Sequence, residues 1–459
     1  MVSTWGHLFY FVGWFLVLPL LLFLIFDWLS KRDRFRKYQK YVIPFLSLFT
    51  FLFLLKTFTF VAMERKLIVY SIVASILFAL VLHKHWKKIM VIQFLMACMA
   101  GFSLLRVVNE KLNYSDQWKQ QPDGIEQVVF QAHPNVYLIE PDGYIGFEAL
   151  AEDPYAFDNG PFEEFLRDQQ FKNYPHFRTN YVNTLASNVA LFTMKHHWYG
   201  FNLREENVYN ANKAVVSDNA VLNAFKRNGY ETYLISETQY FFLNKPLLGY
   251  HHSNIDYSNI AYLHNGMGER QPVLEPFFTY LNDGIQKPKF FFIQLLHPWH
   301  VSTYKSSSLG KELERKKYLE RLEESNKLMK KMIAKILEKD PNGLIVIMAD
   351  HGGYVGFDTT QDTYKRVENP KLLRSIFSAV LSIHWPRDIA PHYDSKIKTP
   401  VNFFRILFSF MSDNSAYLDY LQTDESFMIQ KEEEDMGIYK YCNSQGEWIF
   451  EKVSNPDRD

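Results

Sequence analysis

The chain has 459 residues, enough for a large core and for more than one small domain. Lys+Arg and Asp+Glu balance at 50 each, which excludes a global electrostatic case for binding nucleic acid. Two cysteines, Cys98 and Cys442, exclude a disulfide scaffold, and Cys98 lies in an apolar run where an intradomain disulfide is not expected. In chain order, four apolar runs come first, over about 7–26, 42–62, 67–83 and 89–108. Each is near the length that crosses a bilayer. Together they predict an all-α transmembrane domain of four helices over 1–110. The first run has no basic flank and no small-residue cleavage site, so it is expected to remain as an anchor. Lys56 interrupts the second run near one end, where a lysine snorkels.

Loop charges set an orientation. The first loop, SKRDRFRKYQK, and the third, HKHWKK, are basic; the second offers only Glu64, Arg65 and Lys66. Basic loops stay on the cytoplasmic side. The N-terminus and everything after residue 110 are then expected outside. The reading is an integral protein of the cell or inner membrane whose later domain is extracytoplasmic, in the cell envelope.

Residues 111–131 are polar and mixed and are expected to form a linker. From 132 to 425, strand and helix patterns alternate. Strands are predicted at Val136–Ile139, Thr232–Ile235, Phe290–Leu296, Leu344–Met348 and Ile376–Ile383, and helices at Phe162–Gln169, from Ser187 to Met194, at Ala220–Arg227 and at Glu312–Leu337. In the last of these helices Leu313, Leu322, Met329, Ile333 and Ile336 form the buried stripe. Alternation of this kind predicts an α/β fold with a largely parallel central sheet covered on both faces. The tail, 426–459, is acidic at first and then alternates around Asn443-Ser444-Gln445-Gly446, a β-hairpin pattern.

Two predicted strands end in acids. GLIVIMADHGG brings Asp350 and His351 to the carboxyl end of a buried strand, where open α/β sheets place ligands, and NVYLIEPDG does the same with Glu140 and Asp142. Carboxylates and an imidazole suit a divalent metal. Such motifs also occur as ordinary turns or helix caps. Between them, NYVNTLASNVALFTM places Thr184 just before an apolar helical stretch. There it is either an N-cap or a hydroxyl held at a helix N-terminus, where a phosphate binds well and a nearby cation would lower the hydroxyl pKa. FFFIQLLHPWHV ends a further strand with His297 and His300. His196 and His197 follow the Thr184 helix, and Arg374 and Arg405 lie in apolar runs as anion ligands or as structural cations.

These motifs resemble the alkaline phosphatase superfamily in its sulfatase-like, membrane-anchored branch, which includes lipoteichoic acid synthases and lipid A phosphoethanolamine transferases. The resemblance covers about residues 133–410. It implies an α/β/α sandwich, with metal ligands Asp142, Thr184, Asp350 and His351, Thr184 as nucleophile, and His297 or His300 beside the substrate. The ion would be Mn²⁺ or Zn²⁺, with Mg²⁺ or Ca²⁺ as the other options. The implied function is metal-dependent transfer of a phosphoglycerol- or phosphoethanolamine-type head group through a phosphothreonine. The donor would be a membrane phospholipid, and the acceptor a lipid or cell-surface glycan. The alternative is a sulfatase-like phosphodiesterase or sulfate-ester hydrolase. Formylglycine sulfatases need Cys or Ser in a C/S-x-P/A-x-R context; here Thr184 stands there, with Asn188 in place of the arginine.

Overall fold

The computed structural model describes residues 5–60, 65–201, 206–263, 268–432 and 434–453. Glu64 of the second loop, the first four residues and the last six of the tail lie outside them. The chain forms two compact units.

The first unit comprises Met1–Ser115 with Phe242–Pro246 and Ile260–Gly268. Three helical stretches in it, Trp5–Ser30, Arg36–Thr57 and Arg65–Leu105, are long and apolar enough to cross a membrane. The first carries a π-turn at Gly13–Val17, immediately before Pro19, whose missing N–H loosens the ladder there. The third is broken at His83–His85. The His83 ring packs on Tyr41 with centroids 4.8 Å apart, and Ser47 Oγ donates to Gln93 Oε1 at 3.0 Å. Helix Gln39–Phe60 therefore has His83 at its start and Gln93 further along. A straight continuation would carry Gln93 away from Ser47 at 1.5 Å per residue. The chain turns back at His83–His85, so Arg65–Leu82 and Trp86–Leu112 are two segments. Lys56 Nζ reaches the Leu67 carbonyl at 3.2 Å. Outward side chains such as Phe94, Met99, Phe102 and Leu105 are apolar and exposed, as a lipid-facing surface requires.

The second unit comprises Asp116–Phe241, Leu247–Asn259 and Glu269–Asp459. Its main sheet contains β1 (Val136–Pro141), β2 (Phe171–Asn173), β3 (Glu231–Ser236), β4 (His252–Ser253), β5 (Lys289–Leu295), β6 (Leu344–Met348) and β7 (Leu381–His384), in the order β2-β7-β6-β1-β5-β3-β4. β1 pairs in parallel with β5 and β6, and β3 with β4 and β5; β7 runs antiparallel to both its neighbours. The sheet is thus largely parallel. β1, β3, β5 and β6 are buried along their whole length, which explains their continuous apolar runs. On β5, Phe290 and Phe292 face helices Thr184–Thr193, Ala220–Arg227 and Pro400–Ser412 through Phe192, Phe225 and Phe404. Phe291 points the other way, onto Tyr137, while Phe277 of helix Leu274–Leu281 covers that side. Helices on both faces make the α/β/α sandwich.

Sequence expectations change at two places around the sheet. The strand expected over Ile376–Ile383 divides: Asn369 caps helix Pro370–Phe377, whose last turn buries Ile376 and Phe377, and the strand begins only at Leu381. In helix Lys311–Lys339, Leu313 is 53 % exposed, and Glu314 is buried in its stead. The Glu314 carboxylate accepts the N–H groups of Ser302 and Leu309, tying the preceding loop to the helix start.

A second, antiparallel sheet is built from β8 (Ser426–Gln430), β9 (Gly437–Cys442) and β10 (Trp448–Lys452). β9 and β10 pair around the turn at Asn443–Gly446, where Gly446 has φ +87°. β8 is sewn to the body by Phe427 N–H on the Asn180 carbonyl and Ser426 Oγ on Thr179. Arg405 and Arg374 are structural cations. Arg405 is buried against Asp123 (2.6 Å) and Gln121 (2.7 Å), and Arg374 pairs with Glu152 at the surface.

Candidate metal centre and active site

Strand register brings the acids together. Ile139 of β1 pairs with Ile347 of β6, and Asp142 and Asp350 each lie three residues further on. Gly143 then turns the chain at φ +70°, under the Trp299 carbonyl; a Cβ there would come within 2.6 Å of that oxygen. Trp299 N–H donates to the Asp142 carbonyl at 2.8 Å, and Val301 N–H to that of Gly353 at 3.2 Å. The His297–Val301 loop thus lies across both acidic loops.

Hydrogen bonds aim each candidate ligand atom. Asp350 Oδ1 accepts the N–H groups of Gly143 (3.0 Å) and His351 (3.1 Å), which leaves Oδ2 facing inward. His351 Nδ1 lies 2.8 Å from the Gly352 carbonyl. A carbonyl only accepts, so Nδ1 carries the proton and Nε2 presents a lone pair. Nε2 is 3.3 Å from Asp350 Oδ2 and 3.6 Å from Asp142 Oδ1. The Thr184 hydroxyl is 3.4 Å from Asp142 Oδ2 and 3.4 Å from His351 Nε2. All four residues are buried.

The cap of helix Thr184–Thr193 is Asn183, whose side chain accepts from Ala186 N–H at 2.8 Å. The helix starts three residues before the expected Ser187, and Thr184 is its first residue rather than its cap. Its hydroxyl is therefore left to the acids. One turn on, Asn188 Nδ2 donates to the Thr184 carbonyl and to Glu140 Oε1, both at 3.0 Å. Burial, followed by the charge on Asp350, pushes both the Asp142 and the Glu140 carboxyls well above the usual range; the Thr184 hydroxyl opposes the rise at Asp142, and Asn188 opposes it at Glu140.

This donor set fits a divalent cation. Asp142 Oδ1 and Asp350 Oδ2 are buried carboxylate oxygens with no hydrogen-bond partner. Together with His351, these residues can offer three ligand atoms within 4.8 Å of one another. Two acids beside a bare imidazole nitrogen leave unpaired negative charge, which a cation would neutralise.

The two strand-end histidines part company. The His300 ring lies 5.7 Å from that of His351, and its Nδ1 is 2.6 Å from the Val301 carbonyl. Burial and the His351 ring lower its pKa, so it is neutral near pH 7 with Nε2 unprotonated. His297 is bonded to other groups. Its Nε2 accepts from Arg270 at 3.2 Å, and Nδ1 lies 3.4 Å from Glu324 Oε2. Arg270 in turn pairs with Glu237. His196 and His197 hold the carbonyls of Thr423 and Ala186 and are structural. Sequence reading did not single out Tyr354, whose ring lies 5.7 Å from His351 while its hydroxyl binds the Val182 carbonyl. It also did not find Glu206, which takes Lys431 and the Tyr364 hydroxyl. Both depend on segments distant in sequence.

Residues 164–413, more than half of the chain, match the sulfatase family. Comparison with curated proteins gives no match. Among solved structures, the chain is similar to the integral membrane lipooligosaccharide phosphoethanolamine transferase A (EptA) from Neisseria meningitidis (14 % identity, 77 % of this chain and 70 % of that one, TM-score 0.45). It is similar also to the lipoteichoic acid synthase LtaP from Listeria monocytogenes (11 %, 72 % and 91 %, 0.44) and to the periplasmic domain of EptC from Escherichia coli (15 %, 62 % and 85 %, 0.42). On its sequence match, the chain belongs to the sulfatase family, the metal-dependent enzymes of the alkaline phosphatase superfamily.

Proposed function

We propose that this chain is a membrane-anchored phosphotransferase. It moves a phospho-head group, of phosphoglycerol or phosphoethanolamine type, from a membrane phospholipid through a covalent phosphothreonine at Thr184 to a lipid or cell-surface glycan. The observation that carries the reading is the Thr184 hydroxyl, 3.4 Å from both Asp142 and His351 and not used as a helix cap. Asp142, Thr184, Asp350 and His351 would hold the ion, with Mn²⁺ or Zn²⁺ best matched to two carboxylates and an imidazole. When bound, it supplies Lewis acidity and lowers the hydroxyl pKa. Thr184 Oγ1 passes its proton to Nε2 of neutral His300 and attacks phosphorus; the donor's P–O bond breaks, and the donor leaves as an alcohol that takes that proton. In the second step His300 Nε2 accepts the proton of the acceptor hydroxyl, whose oxygen attacks phosphorus, the Thr184 Oγ1–P bond breaks, and the proton returns to Oγ1. The free N–H groups at the start of helix Thr184–Thr193 face the phosphoryl charge.

Incubating the full-length protein with a labelled phospholipid and a glycolipid acceptor tests this. The expected products are diacylglycerol and modified acceptor, with phosphothreonine at residue 184 in quenched digests. Release of the head group into water, with acceptor unmodified, points to the hydrolase reading, for which the family match is the supporting observation.

In the proposed topology, four segments cross the membrane, the basic loops at 30–40 and 83–88 face the cytoplasm, and the catalytic unit lies outside. A cysteine introduced at exposed Lys316 is expected to react with an impermeant maleimide in intact cells, and one at Lys37 only after lysis. The reverse pattern refutes the orientation.

A further inference from the structure

The C-terminal sheet and the turn before it take no part in the reaction above, yet several of their attachments fall on the segment that leads into Thr184. Arg178 is buried, and its guanidinium donates to the Asp424 carbonyl just before β8 and, at 3.1 Å, to the Asn443 carbonyl just after β9. The Thr179 carbonyl accepts Ser426 Oγ at 2.6 Å. Asn180 accepts Phe427 N–H on its carbonyl and donates from Nδ2 to the Glu425 carbonyl, both at 2.8 Å, while its Oδ1 takes Val401 N–H at 3.0 Å. The Tyr181 ring packs on Phe427 and His197, with centroids 6.0 and 4.3 Å apart. Each residue from 178 to 181 thus touches the C-terminal part of the chain.

The acids and His351 have other supports. Asp350 and His351 are bonded by Gly143 N–H, His351 N–H and the Gly352 carbonyl, and the Asp142 backbone by Leu295 and Trp299. None of these groups belongs to the tail. Thr184 stands at the first position of its helix, where N–H groups find no carbonyl within the helix. Its place is therefore set from two sides: by the helix, which Asn188 ties to Glu140, and by the preceding segment, which the tail holds. Arg178 is the costliest of the clamps. It has no carboxylate partner among the described residues, its Nε is buried without a hydrogen bond, and both of its hydrogen bonds go to tail carbonyls.

We propose that the C-terminal sheet is a positioning element of the active site: by clamping residues 178–180 it sets the place of the Thr184 side chain relative to Asp142 and His351. The role rests on the reading of Thr184 as nucleophile and metal ligand. Arg178, Asn180 and Ser426 are then positioning residues, which act through Thr184. A reacting group displaced by about 1 Å loses about a hundred-fold in rate, so loosening the clamp slows the chemistry while the acids keep their metal.

The test uses the full-length protein with Arg178→Met, Arg178→Lys or Ser426→Ala. In a Thr184→Cys background loaded with Co²⁺, a thiol that reaches the ion binds as thiolate and gives a sulfur-to-metal charge-transfer band. Arg178→Met is expected to cut that band by about two-fold or more at unchanged bound Co²⁺, with Arg178→Lys closer to the parent. With Thr184 in place, Arg178→Met is expected to form phosphothreonine from labelled phospholipid about ten-fold or more slowly in single turnovers. Ser426→Ala, which removes one hydrogen bond and little volume, is expected to shift both readouts in the same direction by less. Band and rate unchanged in folded Arg178→Met overturn the role; should that variant not fold, unchanged readouts in both Arg178→Lys and Ser426→Ala overturn it. A band lost together with bound Co²⁺ also overturns it, since the tail would then support the whole centre. No band in Thr184→Cys alone refutes the placement of residue 184 at the ion, and both readings with it. A band there, with no phosphothreonine in wild type, refutes only the nucleophile, and the band in the Arg178 variants still decides the positioning.

Discussion

Thr184→Ala is expected to lower kcat by about a thousand-fold or more and to leave bound metal within a few-fold of wild type. The expectation follows from how the residue is held. Asn183 caps the helix, so removing the Thr184 side chain costs the helix no hydrogen bond at its start, and alanine is a better helix former than threonine. Asp142, Asp350 and His351 keep their own supports in Gly143 N–H, His351 N–H and the Gly352 carbonyl. Three of the proposed ligands remain while the proposed nucleophile is gone. Thr184→Ser keeps a hydroxyl at the same place and is expected to retain activity within about ten-fold, forming phosphoserine. Turnover, metal analysis and mass spectrometry of quenched protein check the pair. Wild-type turnover in Thr184→Ala would mean that the group passes directly from donor to acceptor.

Removing the metal is the second large effect. Two buried carboxylate oxygens without partners are stable only if a proton or a cation joins them. Metal at 100 to 1,000 times its Kd adds about 3–4 kcal/mol to stability, so chelation should lower Tm by several degrees. The pH dependence has a definite sign. The Asp142 and Glu140 carboxyls sit above their unfolded values, near 4, in the metal-free protein. Their contribution is fully present below about pH 4 and is lost as pH rises through the raised folded values. Chelated protein therefore loses stability from about pH 4 towards neutrality. Metal-loaded protein gains over the same window, because protons cease to compete for the ligands. Asp142→Asn removes one charge: it should flatten the slope in chelated protein and abolish the rescue by metal. Thermal melts across pH, with and without Mn²⁺ or Zn²⁺, read both. Identical melts with and without metal across the pH range would remove the case for a metal centre.

What the sequence made legible was local. Leu344–Met348 followed by Asp350 and His351 announces a buried strand and its ligand end within eleven residues, and the same holds for Val136 to Asp142. Position within a helix is less local. Thr184 could be cap or first residue, and the choice was made by the Asn183 carboxamide reaching Ala186, a matter of backbone angles rather than residue type. His297 and His300 were indistinguishable in sequence because their sorting depends on Arg270, Glu324 and the Val301 carbonyl. Ile376 carried the apolar signature of a strand but was buried by a helix capped at Asn369, since short apolar runs fit either period. Leu313 fell outside its stripe because Glu314 was needed to hold two loop N–H groups.

The matched offsets of Asp142 and Asp350 from the Ile139–Ile347 rung have a consequence for how such a protein can diversify. Both acids are counted from a hydrogen-bonded ladder, so one residue gained or lost between rung and acid would rotate a carboxylate to the opposite side of the strand end. The intervals 139–142 and 347–350 are thereby frozen. The long excursions between strands carry no such count. They can lengthen, shorten or exchange side chains to suit a different substrate, while the strand-end acids keep their places.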